Sequence, residues 1–261
     1  MMRSLFTAAG GMAAMQLHVD VTANNLSNVN TWGYKRARID FQDLLSQTLR
    51  GPGALSSGGQ MIPTGLTVGL GVRPAATVRD FSQGMFVETG LPTDVVIEGQ
   101  GFYQILLPDG TTAYSRDGSF KLDANGQLVT ADGNYLQPQI TIPANTIQTT
   151  IDSSGTVTVT LPGNVQQNVG QFELARFVNP AGLLSVGKNL FLETPASGPP
   201  ITGTPGTDGM GTITQGYLEG SNVQVVSEMV NLIIGQRAFE SNSNTIRTSD
   251  DMLGTATALR R

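Results

Sequence analysis

The sequence contains no cysteine and a single histidine, His18. Disulfides and thiolate metal sites are therefore excluded, and one imidazole without a carboxylate cluster beside it does not make a zinc site. A cysteine-free chain fits export without oxidative folding. Charged residues are only 13% of the 261, and the net charge is −5. Such a balance offers no basic stripe able to displace the counterions of a nucleic acid. The one concentration of positive charge, Lys35, Arg36 and Arg38, is expected to face Asp40 and Asp43. The single tryptophan, Trp32, leaves little for an aromatic sugar-binding cleft. No run of 18 apolar residues is present, so no direct membrane insertion is expected. GLGVRP (69–74) and GQGFYQ (99–104) lack the third glycine and the strand-to-helix setting of a dinucleotide site and read as backbone turns. DANG (123–126) lacks the glutamate of a calcium loop and reads as a hairpin turn. No catalytic residue, metal or cofactor is expected.

What is present is periodicity at the two ends. Leu5, Met12, Val19 and Leu26 recur every seven residues, with Ala8, Met15, Thr22 and Val29 as a second row. Near the other end Leu232, Phe239, Ile246 and Leu253 repeat at the same interval, with Gly235, Asn242 and Ser249 beside them. These are seams of coiled-coil type, and they invite pairing with each other or with copies of themselves. Several layers hold only Ala, Thr, Gly or Ser, which bury little surface against the entropy of ordering a helix. The helices are therefore expected to order fully when neighbouring copies cover them. The first should run from near Ser4 to about 28–30. The last should be capped by Ser221 or Asn222, with Gln224 completing a capping box on Ser221, and should reach about Leu259. Arg3 and the following LFTAAGGMAAM superficially resemble a secretory signal, but the heptads continue through the would-be cleavage site, so an uncleaved terminus is expected.

Between the ends the pattern changes. RIDFQDLLSQTLR (38–50) fits either a short amphipathic helix or an extended arm. Residues 51–71 are rich in Gly, Ser and Pro and read as a linker or a long hairpin, whose apolar flanks at Leu55 and at Met61 and Ile62 could pair. From 94 to 142 strand-like runs alternate with PDG, RDG, ANG and ADG, and 151–160, 170–178 and 189–194 continue them. Residues 195–211 are expected to form a surface loop. The fold class is α+β: N- and C-terminal helices forming a coiled coil, with an inserted all-β domain. The expected division is 1–36 with 218–261 for the terminal helices, 37–85 for a connecting segment with a Gly/Ser/Pro-rich hairpin or linker at 47–65, and 86–217 for the β-rich part.

Four stretches together carry a family resemblance. ANNLSNVNTWGYKR (23–36), QGMFVETGLPTDVVIEGQGFYQI (83–105), AYSRDGSFKLDANGQLVTADG (113–133) and GYLEGSNVQVVSEMVNLIIGQRAFESN (216–242) occur in the order found in bacterial flagellar basal-body rod and hook proteins. The first resembles that family's N-terminal signature, an Asn-Asn-Leu-x-Asn turn followed by a Gly-aromatic-Lys/Arg step. This singles out Asn24, Asn25, Asn28 and Gly33. Within the family, the segment 47–65, with Gln47, Arg50, Pro52, Pro63 and Gly65, resembles that of distal rod members; a proximal rod or hook-type axial protein is the alternative.

The resemblance implies a subunit of a rigid, hollow helical tube that transmits torque and passes export substrates. Its terminal helices, through Leu5, Met12, Val19, Leu26, Leu232, Phe239, Ile246 and Leu253, would form the inner wall. The implied partners are further copies of itself, proximal rod proteins, hook protein, ring proteins in the peptidoglycan and outer membrane, and the flagellar type III export apparatus. The implied location is the periplasm-spanning rod of the basal body. A secreted surface enzyme or carbohydrate-binding module on a stalk, and a phage-tail or pilus-like tube subunit, are the rival classes. The first needs a concave cluster of carboxylates or aromatics, and the terminal motifs disfavour the second.

Overall fold

The computed structural model describes residues 2–53 and 64–258. The chain is α+β, with a helix near each end and antiparallel strands between them. Leu55, Met61, Ile62 and Pro63 lie outside the described residues. The chain divides into two compact units. One gathers the residues up to 26, 37–78, and those from 224 onward; the other gathers 27–36 and 79–223.

In the first unit, helix α1 (Met2–Ser27) and helix α2 (Val225–Ala258) run antiparallel. Ser4 Oγ lies 3.2 Å from Ser249 Oγ, and Asn25 Nδ2 donates to Glu228 Oε2 at 3.4 Å. Between these ends, a Cβ added to Gly11 would stand 2.9 Å from Asn242 Nδ2, and one added to Gly235 would stand 2.9 Å from Val19 Cγ2. The contacts step by seven residues along α2 and by six to eight along α1, in opposite directions, and all but Val19 fall on small or polar positions. Glycine and serine let the two backbones approach closely, which large side chains at the same places would prevent. Leu5, Met12, Val19, Leu26, Leu232, Ile246 and Leu253 are half-buried, whereas Phe239 is 41% exposed. Val226, Met229, Val230, Ile233 and Ile234 form a further exposed apolar row on α2.

The segment after α1 takes the extended option. Asn25 accepts the Ala37 N–H through Oδ1 at 2.9 Å and donates to the Ala37 carbonyl through Nδ2 at 2.8 Å. Both backbone groups of Ala37 are thus engaged as a neighbouring strand would engage them, which removes them from any helical ladder. Strand β1 (Ala37–Asp43) follows from there. Strand β2 (Gln47–Arg50) pairs antiparallel with β3 (Leu66–Val68), and β4 (Val72–Arg79) returns beside β1. His18 packs its ring near Phe41, centroids 6.4 Å apart.

The second unit is built on strands β5 (Phe86–Glu88), β6 (Val95–Glu98), β7 (Phe102–Leu106) and β8 (Thr112–Ser115). β5 pairs with Tyr217–Glu219 and β6 with Thr212–Gln215. β7 and β8 form the middle of the largest sheet; β7 also pairs with Tyr135–Gln137 and Leu174–Arg176, and β8 with Leu190–Leu192. Strand alternation sends successive β7 side chains to opposite faces. Tyr103 and Ile105 enter the main core with Phe120, Leu136, Phe172 and Leu174. Phe102 instead joins Tyr114, Phe177 and Phe191 in a smaller aromatic cluster, in which Tyr114 and Phe177 meet edge to face at 4.7 Å. The DANG turn closes as a hairpin: Asp123 Oδ1 accepts the N–H of Asn125 at 2.7 Å and of Gln127 at 3.1 Å, and Gly126 takes φ +79.

The expected cap of the last helix is corrected. α2 begins at Val225, after both candidates, and its first turn closes with Glu228 N–H on the Gln224 carbonyl at 3.0 Å. Ser221 Oγ is taken by the N–H of Val223, and the Asn222 side chain is engaged elsewhere in its own unit.

The close helix approach makes a prediction. Gly235→Leu should lower stability by about 1 to 3 kcal/mol through overpacking, although leucine is intrinsically the better helix former by about 1 kcal/mol. Gly254→Leu, where nothing lies within 4 Å of an added Cβ, should be neutral or stabilising. Thermal and denaturant unfolding of the two variants provides the comparison.

Candidate functional site

Four segments far apart in sequence meet at one buried carboxylate. Glu219 ends the strand that pairs with β5, and its side chain is 1% exposed. Lys35 Nζ donates to Glu219 Oε1 at 2.7 Å, and Arg116 Nε donates to Glu219 Oε2 at 2.9 Å. The Gly84 N–H supplies a further donor to Oε1 at 2.9 Å. Each cation is in turn satisfied by backbone. Lys35 Nζ reaches the Ser82 carbonyl at 2.7 Å. Arg116 Nη1 donates to the carbonyls of Gly99 at 2.9 Å and Gly101 at 2.7 Å, and Nη2 to Ile97 at 3.3 Å. A buried ion pair stands only when its remaining donors and acceptors are filled in this way.

The electrostatics follow from that arrangement. Burial pushes the Lys35 ammonium below the ordinary lysine range, with Arg116 adding to the effect and Glu219 opposing it. Burial alone would raise the Glu219 carboxyl. The adjacent Arg116 and Lys35 charges, with the hydrogen bonds from Lys35 and Gly84, reverse this and hold it below the usual carboxylate value.

The backbone around the triad is shaped to admit it. Gly33 adopts φ +66, and a Cβ there would stand 2.7 Å from the Asp117 nitrogen, so only glycine brings the chain this close to residues 116–117. Its N–H donates to the Glu219 carbonyl at 2.8 Å. Arg79 Nη1 holds the Lys35 carbonyl at 3.3 Å while its guanidinium lies over the Tyr34 ring. Asn222 completes the set. Its Oδ1 accepts the Arg36 N–H at 2.8 Å, and its Nδ2 donates to the Asp80 carbonyl at 2.8 Å and to Ser82 Oγ at 3.1 Å. One amide side chain thereby ties two extended segments together.

The residues singled out from sequence are distributed as follows. Asn25 is buried on the Ala37 backbone, Asn28 Oδ1 accepts the Thr31 hydroxyl at 3.1 Å, Asn24 is exposed, and Gly33 joins the triad's surroundings. Gln47, Arg50 and Pro52 are exposed at the β2–β3 hairpin. A Cβ on Gly65 would stand 2.8 Å from the Arg50 carbonyl oxygen. The expected pairing of Lys35 with Asp40 or Asp43 is corrected, because its partner is Glu219; the exposed Arg38 does approach Asp40, at 3.5 Å. Sequence reasoning missed Lys35, Arg116, Glu219 and Asn222 as a set. The available signal was their place inside three of the four quoted motifs, Lys35 in 23–36, Arg116 in 113–133, and Glu219 with Asn222 in 216–242. Among the described residues no group of three or more His, Cys, Asp or Glu side chains is placed to hold a metal ion.

A carboxylate clasped by two cations, whose every remaining bond goes to the chain itself, holds the fold together, and comparison with known proteins gives the class, a flagellar rod protein. Residues 5–35 match the family description "Flagella basal body rod protein", 96–159 match "Flagellar hook protein FlgE/F/G D1 domain", and 214–259 match "Flagellar basal body rod FlgEFG protein C-terminal". The flagellar basal-body rod protein FlgG of Borreliella burgdorferi is 52% identical, with all of both chains covered. That of Caulobacter vibrioides is 50% identical over 99% of this chain and all of the relative, and that of Bacillus subtilis is 37% identical over all of both. The chain belongs to the FlgG family of flagellar basal-body rod proteins.

Replacing Glu219 tests the site. Because its carboxyl titrates lower folded than unfolded, its contribution is complete above the ordinary carboxylate range and is lost as pH falls through the folded value. Glu219→Gln should cost about 3 to 5 kcal/mol near neutrality by leaving two buried cations underpaired. The gap from wild type should narrow below about pH 4, as followed by urea unfolding at several pH values.

Proposed function

We propose that this chain is a structural subunit of the flagellar distal rod that assembles with copies of itself into a rigid hollow helical tube. In this reading α1 and α2 pack as a coiled coil and form the inner wall, the tube carries torque from motor to hook, and export substrates pass along its lumen. The chain leaves the cell interior through the flagellar type III export apparatus and lies in the periplasm-spanning part of the basal body. Its neighbours are proximal rod proteins, hook protein, and the ring proteins of the peptidoglycan and outer membrane.

The observation that carries self-assembly is the apolar row on α2. Val226, Met229, Val230, Ile233 and Ile234 are between 49% and 76% exposed in the single chain. They follow helical spacing and stand apart from the small-residue positions that contact α1. A second copy provides the cover that this row lacks. No observation favours a hook-type identity, since the similar Helicobacter mustelae hook protein matches over 52% of this chain and only 30% of its own length.

Negative-stain microscopy of the concentrated full chain tests the reading, with straight tubes expected. Deleting both terminal helices should abolish them, and tubes from the truncated chain would reject the assembly role of the helices. Residues 47–65 are proposed to pack against adjacent subunits. Removal of residues 47–65 should leave tubes that bend more easily, and an unchanged persistence length would reject that role.

A further inference from the structure

Beside the triad, the second unit contains a cavity of about 320 Å³ lined by Phe81, Phe102, Phe177, Pro180, Arg116 and Arg176. Its two arginines differ in one respect. The Arg116 guanidinium is fully engaged by Glu219 and three carbonyls. Arg176 makes no side-chain hydrogen bond or ion pair among the described residues, and its Nε is buried without a partner. Its backbone is held in register opposite Ile201 and beside β7, and its Nη1 lies 3.3 Å from the place a Cβ on Gly209 would take. A guanidinium underpaired at the wall of a pocket that also presents three phenylalanine rings has an obvious complement. A carboxylate matches its planar fork and supplies the acceptor that its buried Nε lacks, while the rings accommodate an apolar neighbour.

We infer that this pocket receives a carboxylate side chain from a second copy of the chain, and that strand β5 presents it. All three residues of β5 are exposed, including Phe86 at 40% and Val87 at 42%, and Met85 before them is 81% exposed. Glu88 has no ion-pair partner among the described residues. Phe86 and Glu88 are two positions apart and share a strand face, so an aromatic ring and a carboxylate are offered together. The pocket offers aromatic walls and an underpaired cation in return. Donor and acceptor are different patches, so the contact is head-to-tail and propagates instead of closing into a dimer. The inference deepens the assembly reading and rests on it for the identity of the partner.

A charge exchange tests it. Arg176→Glu and Glu88→Arg should each raise the critical concentration for polymerisation about tenfold or more. The combined variant should recover most of that loss, with thermal unfolding showing that all three fold. Single variants that polymerise like wild type, or a combined variant no better than either single one, would overturn the pairing. A second measurement does not depend on tube formation: ¹⁵N arginine side-chain resonances of the dilute full chain, titrated with the peptide QGMFVETG. The Arg176 Nε signal should shift and saturate with this peptide, and not with its Glu-to-Gln counterpart. No shift, or an equal shift with acetate alone, would overturn the assignment to β5. A specific peptide shift from a chain that forms no tubes would retain the pocket and reject the tube.

Discussion

Four segments of the second unit converge to keep one carboxylate ionised where water does not reach. Glu219 needs two cations and a backbone N–H to remain charged, and each cation needs carbonyls of its own. Residues 33–36, 82–84, 97–101 and 115–117 are consequently drawn to the strand that carries it. The arrangement is a closed account of donors and acceptors, so loss of one member leaves the others exposed to an uncompensated desolvation cost. Gly33, whose conformation and contacts leave no room for a Cβ, belongs to the same constraint.

The first unit is organised by a different principle. Its helices meet through serine, glycine and asparagine, which gain little from burial but permit close approach. The larger apolar residues are therefore left half-buried or exposed. A helix pair that directs its best hydrophobic surface outward sacrifices stability as a single chain and retains area for contact with others. This division of labour suits a member of a rod family.

The triad and the neighbouring cavity also illustrate how saturation separates structure from recognition. Arg116 and Arg176 line the same pocket, yet only the first is consumed by the fold. A cation whose hydrogen bonds are all internal makes a rigid wall. One that lacks them retains a free energy that a ligand can release.

Much of the plan was legible in one dimension. Heptads at both ends, period-two alternation and Asp-Gly or Asn-Gly turns are local patterns, and local physics suffices to read helices, strands and hairpins from them. The extended course of residues 37–50 was not decided locally, because the Asn25 side chain that engages Ala37 reaches it across the end of a helix. The start of α2 was misread because Asn222, an ideal cap by composition, spends its amide on Arg36 and Asp80. Lys35 was assigned the nearest acids in sequence, whereas burial pairs it with a carboxylate 184 positions away. Composition and periodicity by themselves determined the α+β class, and the family was reached through the resemblance of four ordered motifs. Which charges pair, which face of each helix meets the other, and which arginine is left wanting were decided only in three dimensions, because desolvation acts on neighbours in space.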